Sequence, residues 1–145
     1  MSQVYSIYEE KPEYINLPTT FGGFAILVRE SEGLPAICIK QRNGKGSSKW
    51  QYDLPGGGKQ ATDETLEATA LREAKEEVGI TGKIVAKIGP PLCLPKRQNG
   101  ELIGVDYAQA FLFETPDIPT TSEEAINIAW VHQNSASGFN IVSRV

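Results

Sequence analysis

Gly58–Ile80 reads GKQATDETLEATALREAKEEVGI, and the architecture expected of this 145-residue chain follows from it. Glu73, Glu76 and Glu77 stand at i, i+3 and i+4. At about 100° per residue on a helix they share one arc roughly 100° wide. Like charges at that spacing repel by a few tenths of a kcal/mol per pair, so a convergent arrangement needs a cation to offset it. A hard divalent ion with oxygen ligands suits such a set, whereas a solvated acidic face would need none. Ala70, Leu71, Ala74 and Val78 form the opposite stripe and are expected to pack on a sheet. Thr62, Asp63 and Thr65 are all competent caps for the helix start. Gly79 suits a left-handed end, with Ile80 placed for the apolar contact of a Schellman motif.

Outward from this helix the pattern changes to strands. Phe21–Arg29 and Leu34–Arg42 are predicted strands around a turn at Glu30-Ser31-Glu32-Gly33. In the second, Cys38, Lys40 and Arg42 alternate with Ile37, Ile39 and Gln41, which suggests one covered face and one opening on a cleft. Residues 43–49 read as a basic Gly/Ser-rich loop. Gly56-Gly57-Gly58 is read as a lead-in where positive φ and close backbone approach to a ligand are both permitted. Further on, Gly82–Ile88 is a strand, the proline-punctuated segment 89–95 a loop or edge, and Gln98-Asn99-Gly100 a hairpin turn into a strand over Leu102–Phe113. A loop over Thr115–Ser122 and a last strand over Ala125–His132 follow. Residues 1–20 suggest an edge strand or a packed arm, and 133–145 a short helix or irregular tail.

The bulk properties narrow the class. One domain over residues 1–145 is expected, with 40% hydrophobic and 22% charged residues. A net charge of −4 argues against duplex nucleic acid as a partner. Cys38 and Cys93 lie in apolar runs and read as buried free thiols in a reducing compartment. The N-terminus lacks a basic region followed by an apolar core, and no run is long enough for a bilayer, so a cytoplasmic, membrane-free protein is expected. With His132 as the lone histidine, neither a histidine triad nor a zinc site can be assembled. Trp50 and Tyr52 suit core or rim packing, or the stacking of a base.

Gly58, Glu64, Arg72-Glu73, Glu76-Glu77 and Gly79, with Ile80 closing the run, resemble the Nudix box, G-x5-E-x7-R-E-U-x-E-E-x-G-U with U aliphatic. The fixed positions, at roughly 7% chance each, give an accidental match on the order of 10⁻⁸ per start point. Ala74 is the one departure, small where a bulkier aliphatic is usual. The resemblance is specific over Gly58–Ile80 and softer over residues 21–132. It implies an α/β class fold, the Nudix fold, an α/β/α sandwich around a mixed β-sheet.

It further implies hydrolysis of a nucleoside diphosphate linked to another group, with Mg²⁺, or Mn²⁺, as cofactor. On matching positions, Glu73, Glu76, Glu77 and the Gly58 carbonyl would be metal ligands, and Arg72 would orient Glu73 and partner Glu64. Glu64 and Gly79 would support the box. The general base would be a box glutamate or a later loop acid, Glu124 with Glu123 as its rival, and Lys40 and Arg42 would contact substrate phosphates. The small size and the IKQR…W…LPGGG approach favour a MutT-like nucleoside triphosphate pyrophosphohydrolase. Pro95, fifteen residues past Ile80, points instead to an ADP-ribose or nucleotide-sugar pyrophosphatase. The absence of tyrosine at residues 96–98 counts against a dinucleoside polyphosphate specialist. A non-catalytic nucleotide-sensing module is a third reading, against which every box carboxylate and the arginine are present. The partner is a small-molecule nucleotide, and the family leaves room for a homodimer.

Overall fold

Alternating apolar strands ended by turn residues, and one capped amphipathic helix, produce a sheet with the helix laid across it. The computed structural model describes residues 11–43 and 51–132. Strands β1 (Thr19–Ser31), β2 (Leu34–Arg42), β3 (Tyr52–Asp53) and β4 (Gly56–Gly58) precede helix α1 (Leu66–Val78). Strands β5 (Lys83–Gln98), β6 (Glu101–Glu114) and β7 (Ala125–Val131) follow it. The strand order is β3-β2-β1-β6-β5, with β4 on β1 and β7 on β2. Only the β1–β6 pairing is parallel among these ladders, so the sheet is mixed.

Strand β1 is the hub because its two ends take different neighbours. Gly22–Phe24 pair with β4, whereas Val28–Ser31 pair with β2, and β6 runs along the other side from Thr19 to Leu27. The sheet therefore splits where β1 passes from one partner to the other. Both hairpins close on paired residues of positive φ, Glu32-Gly33 and Asn99-Gly100, the backbone that a two-residue type I′ turn demands. The first turn is thus shorter than the Glu30–Gly33 span expected of it.

Alternation along the strands sends apolar side chains to both faces. On the helix side, Ala25, Leu27, Cys38 and Phe113 pack with Ala74, Val78 and Ile80. On the other side, Phe24, Ile39, Leu54, Ala108 and Val131 form a cluster without any helical residue. A third cluster fixes the N-terminal arm: Tyr14, in the short 3-10 turn Pro12–Tyr14, packs with Cys93 and Val105.

The structure sharpens two expectations from sequence. Of the loop or edge expected over residues 89–95 it selects the edge: β5 runs through the segment to Gln98, with a shift of register between Ile88 and Leu92. The prolines sit on an edge strand, where the missing N–H costs no ladder bond. The three glycines of β4 do not use positive φ; they are extended and paired to β1. Their smallness is what matters, since a Cβ at Gly56 would run into the Phe24 ring and one at Gly57 would stand 2.7 Å from Glu73 Oε1. Residues 1–10, residues 44–49 of the basic loop, Trp50, and the tail beyond His132 lie outside the described residues. Among the described residues no helix is long and apolar enough to cross a membrane.

Candidate active site on the helix and the sheet split

Helix α1 is held at both ends by local chemistry. Of the candidate caps the structure selects Thr65, whose Oγ1 accepts from the Ala68 N–H at 3.1 Å. At the far end Gly79 has φ 70°, and Ile80 N–H returns to the Ala74 carbonyl, the Schellman closure expected there. Ala70, Ala74 and Val78 are fully buried, and Leu71 lies partly buried against the same cluster. The helix rests almost on bare backbone at Gly23, where an added Cβ would collide with the Leu66 carbonyl and come within 3.0 Å of the Ala70 nitrogen. That close seating carries the polar edge of the helix to β4 and β2.

Glu77 is buried at this contact. Its Oε1 accepts from the Gly56 N–H at 2.8 Å, and its Oε2 lies 3.3 Å from Lys40 Nζ. Lys40 in turn donates to Asp53 Oδ1 at 2.7 Å, and Arg42 donates to Asp53 Oδ2 at 2.7 and 3.1 Å. Two carboxylates and two cations so alternate through a region where Lys40 and Asp53 are almost wholly enclosed. Burial pushes Glu77 up to about 7, against the pull of Lys40 and the Gly56 N–H. Burial also raises Glu73, opposed by Arg72 and reinforced by Glu76 and Glu124.

Ligand oxygens of Glu73, Glu77 and Glu124 lie within 4.8 Å of one another. Glu124 arrives from an exposed turn before β7, in which Ser122 Oγ accepts from the N–H groups of Glu124 and Ala125 at 3.2 and 3.1 Å. The rival Glu123 is outside this group. Three carboxylates so placed, two of them resisting ionisation, form a donor set suited to a hard divalent cation.

Beside this cluster the Arg72 guanidinium spends its donors on four residues. Nη1 reaches Glu73 Oε1 and Glu76 Oε2, both at 3.0 Å. Nη2 donates to the Gly58 carbonyl at 3.0 Å and to Asp63 Oδ2 at 2.9 Å, and Nε donates to Asp63 Oδ1 at 3.0 Å. Arg72 therefore orients Glu73, but its loop partner is Asp63 and not the expected Glu64, which is exposed. Glu64 sits one residue further along the entry to the helix, on its solvent side. The Arg72 hydrogen bonds above all, then the Gln60 N–H, hold the Asp63 carboxyl well below the usual carboxylate range.

Lys40 also departs from expectation. It shares the helix-side face with Arg42, as alternation requires, but its ammonium is buried between Asp53 and Glu77 and cannot meet a phosphate in this arrangement. Arg42 remains partly exposed, while Glu76 is half exposed and outside the close carboxylate group. Asp53 and Asp63 are the residues missed from sequence. Asp63 was legible only as a candidate helix cap and Asp53 only as an acid before the glycines, and cross-strand register pairs Asp53 with Lys40. His132 is a strand-end residue whose Nδ1 lies 3.1 Å from the Pro35 carbonyl.

Two carboxylates from one helix and a third from the turn before β7 thus converge beside a split mixed sheet. Residues 19–141 match the model of the NUDIX domain, and the chain belongs to the Nudix hydrolase family. No curated protein matches the chain by sequence. Among solved structures it is similar to the MutT protein of Methanosarcina mazei (22% identity, TM-score 0.68), over 90% of this chain and 89% of that one. It is also similar to an Ap4A hydrolase of C. elegans (19%, 0.63), over 83% and 85%. The third is the NUDIX domain of Shewanella oneidensis NrtR complexed with ADP ribose (15%, 0.66), over 98% and 90%. At these identities the likenesses establish the fold, a mixed sheet with its helix.

Proposed function

We propose that this Nudix hydrolase cleaves the pyrophosphate linkage of nucleoside triphosphates, in the manner of MutT, with Mg²⁺ or Mn²⁺ as cofactor. The observation that carries the reading is the convergence of Glu73, Glu77 and Glu124. Glu73 and Glu77 would hold the cation, with Glu76 and the Gly58 carbonyl at its margin. When bound, the ion offsets phosphate charge and acts as a Lewis acid. Arg72 keeps Glu73 turned inward. Glu124, exposed and free to meet water on its turn, accepts the proton of the attacking water. Arg42, partly exposed at the end of β2, pairs with a substrate phosphate once the nucleotide is in place.

The test is a panel of nucleoside triphosphates, ADP-ribose, sugar nucleotides and dinucleotides with Mg²⁺ or Mn²⁺, run on wild type and on Glu77→Gln. Triphosphates should give the monophosphate and pyrophosphate, and chelation should stop the reaction. Gln retains an acceptor for the Gly56 N–H, so the variant should fold and bind nucleotide. Its turnover should drop by at least about a hundredfold, because even the outer partners of a metal ligand are worth ten- to a hundredfold. Preference for ADP-ribose or sugar nucleotides would replace the triphosphate assignment with the alternative to which Pro95 points. Binding without products in either protein would make this a nucleotide-sensing module.

A further inference from the structure

Asp63 occupies an unusual place for a loop acid. It is 5% exposed, and its carboxylate ties the loop to the helix. It accepts from the Gln60 N–H at 2.9 Å in the loop, from the Thr69 hydroxyl at 3.0 Å in the first turns of α1, and from Nε and Nη2 of Arg72. The guanidinium is planar, so a two-point grip on Nε and Nη2 fixes its plane and aims Nη1 at Glu73 and Glu76. It also aims the second proton of Nη2 at the Gly58 carbonyl.

We infer that Asp63 is the positioning residue of the acid cluster, acting through Arg72, and that Glu64 has no part in this. The inference rests on the cation-dependent hydrolysis proposed above. Its physical content is partly geometric and partly a matter of charge. With Asp63 in place, one cation is shared among Asp63, Glu73 and Glu76, and the last two keep net negative charge to offer a metal ion. With Asp63 neutral, the guanidinium loses its anchor and its charge falls on Glu73 and Glu76 alone, in competition with the ion. Thr69 and Gln60 hold Asp63 itself, which is why the shorter aspartate, seated under the loop, reaches Arg72 from a position that Glu64 on the solvent side does not share.

Three variants separate this role from a merely structural one. Asp63→Asn keeps the size and the acceptor for the Gln60 N–H; Glu64→Gln probes the neighbour; Thr69→Val removes a hydroxyl bond to Asp63 without touching Arg72. The readouts are Mn²⁺ affinity by electron paramagnetic resonance on the purified full chain, kcat and KM on the best substrate of the panel, and Tm. Asp63→Asn should weaken Mn²⁺ binding and lower kcat, each by about ten- to a hundredfold, with KM little changed. Glu64→Gln should match wild type in all three, and Thr69→Val should lower Tm while retaining Mn²⁺ affinity. The inference is overturned if Asp63→Asn binds Mn²⁺ and turns over as wild type does, or if Glu64→Gln carries the loss instead. It is equally overturned if Asp63→Asn and Thr69→Val lose Mn²⁺ affinity only in proportion to Tm. A wild-type protein that binds Mn²⁺ without hydrolysing any substrate would instead refute the proposed activity, and the Mn²⁺ comparison of the variants would still judge Asp63.

Discussion

Glu77 carries its burial as a penalty on its own charge. Burial holds its folded pKa at about 7, whereas an unhindered glutamate sits near 4.5. Between those values the folded chain binds the proton that the unfolded chain has released, so this group's contribution to stability falls as pH rises through the window. Glu73, raised by burial as well, acts in the same direction. Asp63 acts oppositely: its lowered pKa adds stability above its ordinary value of 3.8, and this is lost on acidification below it. In chelator-treated protein, Tm should therefore decline as pH rises from about 4.5 to about 7. Glu77→Gln, which cannot titrate, should show a shallower decline. Saturating Mg²⁺ should raise Tm most at the upper end of the window, because the cation binds the charged carboxylates. A Tm profile identical in wild type and Glu77→Gln would refute the assignment of this ionisation to Glu77.

At the scale of elements, the helix is useful because it is seated so closely. Gly57 faces the Glu73 carboxyl, and a methyl group there would stand 2.7 Å from Oε1. Gly57→Ala should displace Glu73 and cut turnover by about tenfold or more, an effect of the order seen when a ligand's support is disturbed. Its cost in Tm should be small, because the obstructing atom is the end of a side chain able to swing away. Gly79→Ala is the converse. The left-handed φ of 70° at the helix end makes any Cβ costly, and about 1–2 kcal/mol of stability should be lost. Turnover per folded molecule should hardly change, since Gly79 lies at the opposite end of α1 from its cap, beyond the carboxylates. Denaturant melts paired with initial rates distinguish the two. If Gly79→Ala loses activity without losing stability, the helix terminus has a role beyond closing the helix.

For the whole molecule, the apolar cluster beneath α1 and the one beneath the N-terminal arm leave the cysteines inert. Cys38 is fully buried beneath α1, and burial pushes its thiol up to about 12. Cys93 is 1% exposed, packed against Tyr14 and Val105. Neither should react with a thiol-specific disulfide reagent in the native protein, and both should react once it is unfolded in denaturant. Prompt reaction of either under native conditions would mean that its cluster opens far below the global unfolding free energy.

The amino-acid sequence alone determined the helix, its closure at Gly79 and the strands flanking it, because these depend on periodicity and on backbone preferences within a few residues. It also placed Glu73 and Glu77 together, since two residues four apart on a helix are neighbours whatever surrounds them. Glu124 could be named only beside Glu123, and it is tertiary structure that brings the Glu124 carboxylate near Glu73 and Glu77. Which acid holds Arg72 was decided by tertiary structure, because Asp63 and Glu64 differ by one position in a loop whose path depends on Gln60 and Thr69. Lys40 was expected to contact substrate phosphates, and alternation placed it on one strand face with Cys38 and Arg42. That face turned out to be covered by α1, and a buried ammonium must find carboxylates, here Asp53 and Glu77. Local spacing fixes what lies within one turn or one strand; which charges end up enclosed depends on what packs over them, and that is settled only when the chain has folded.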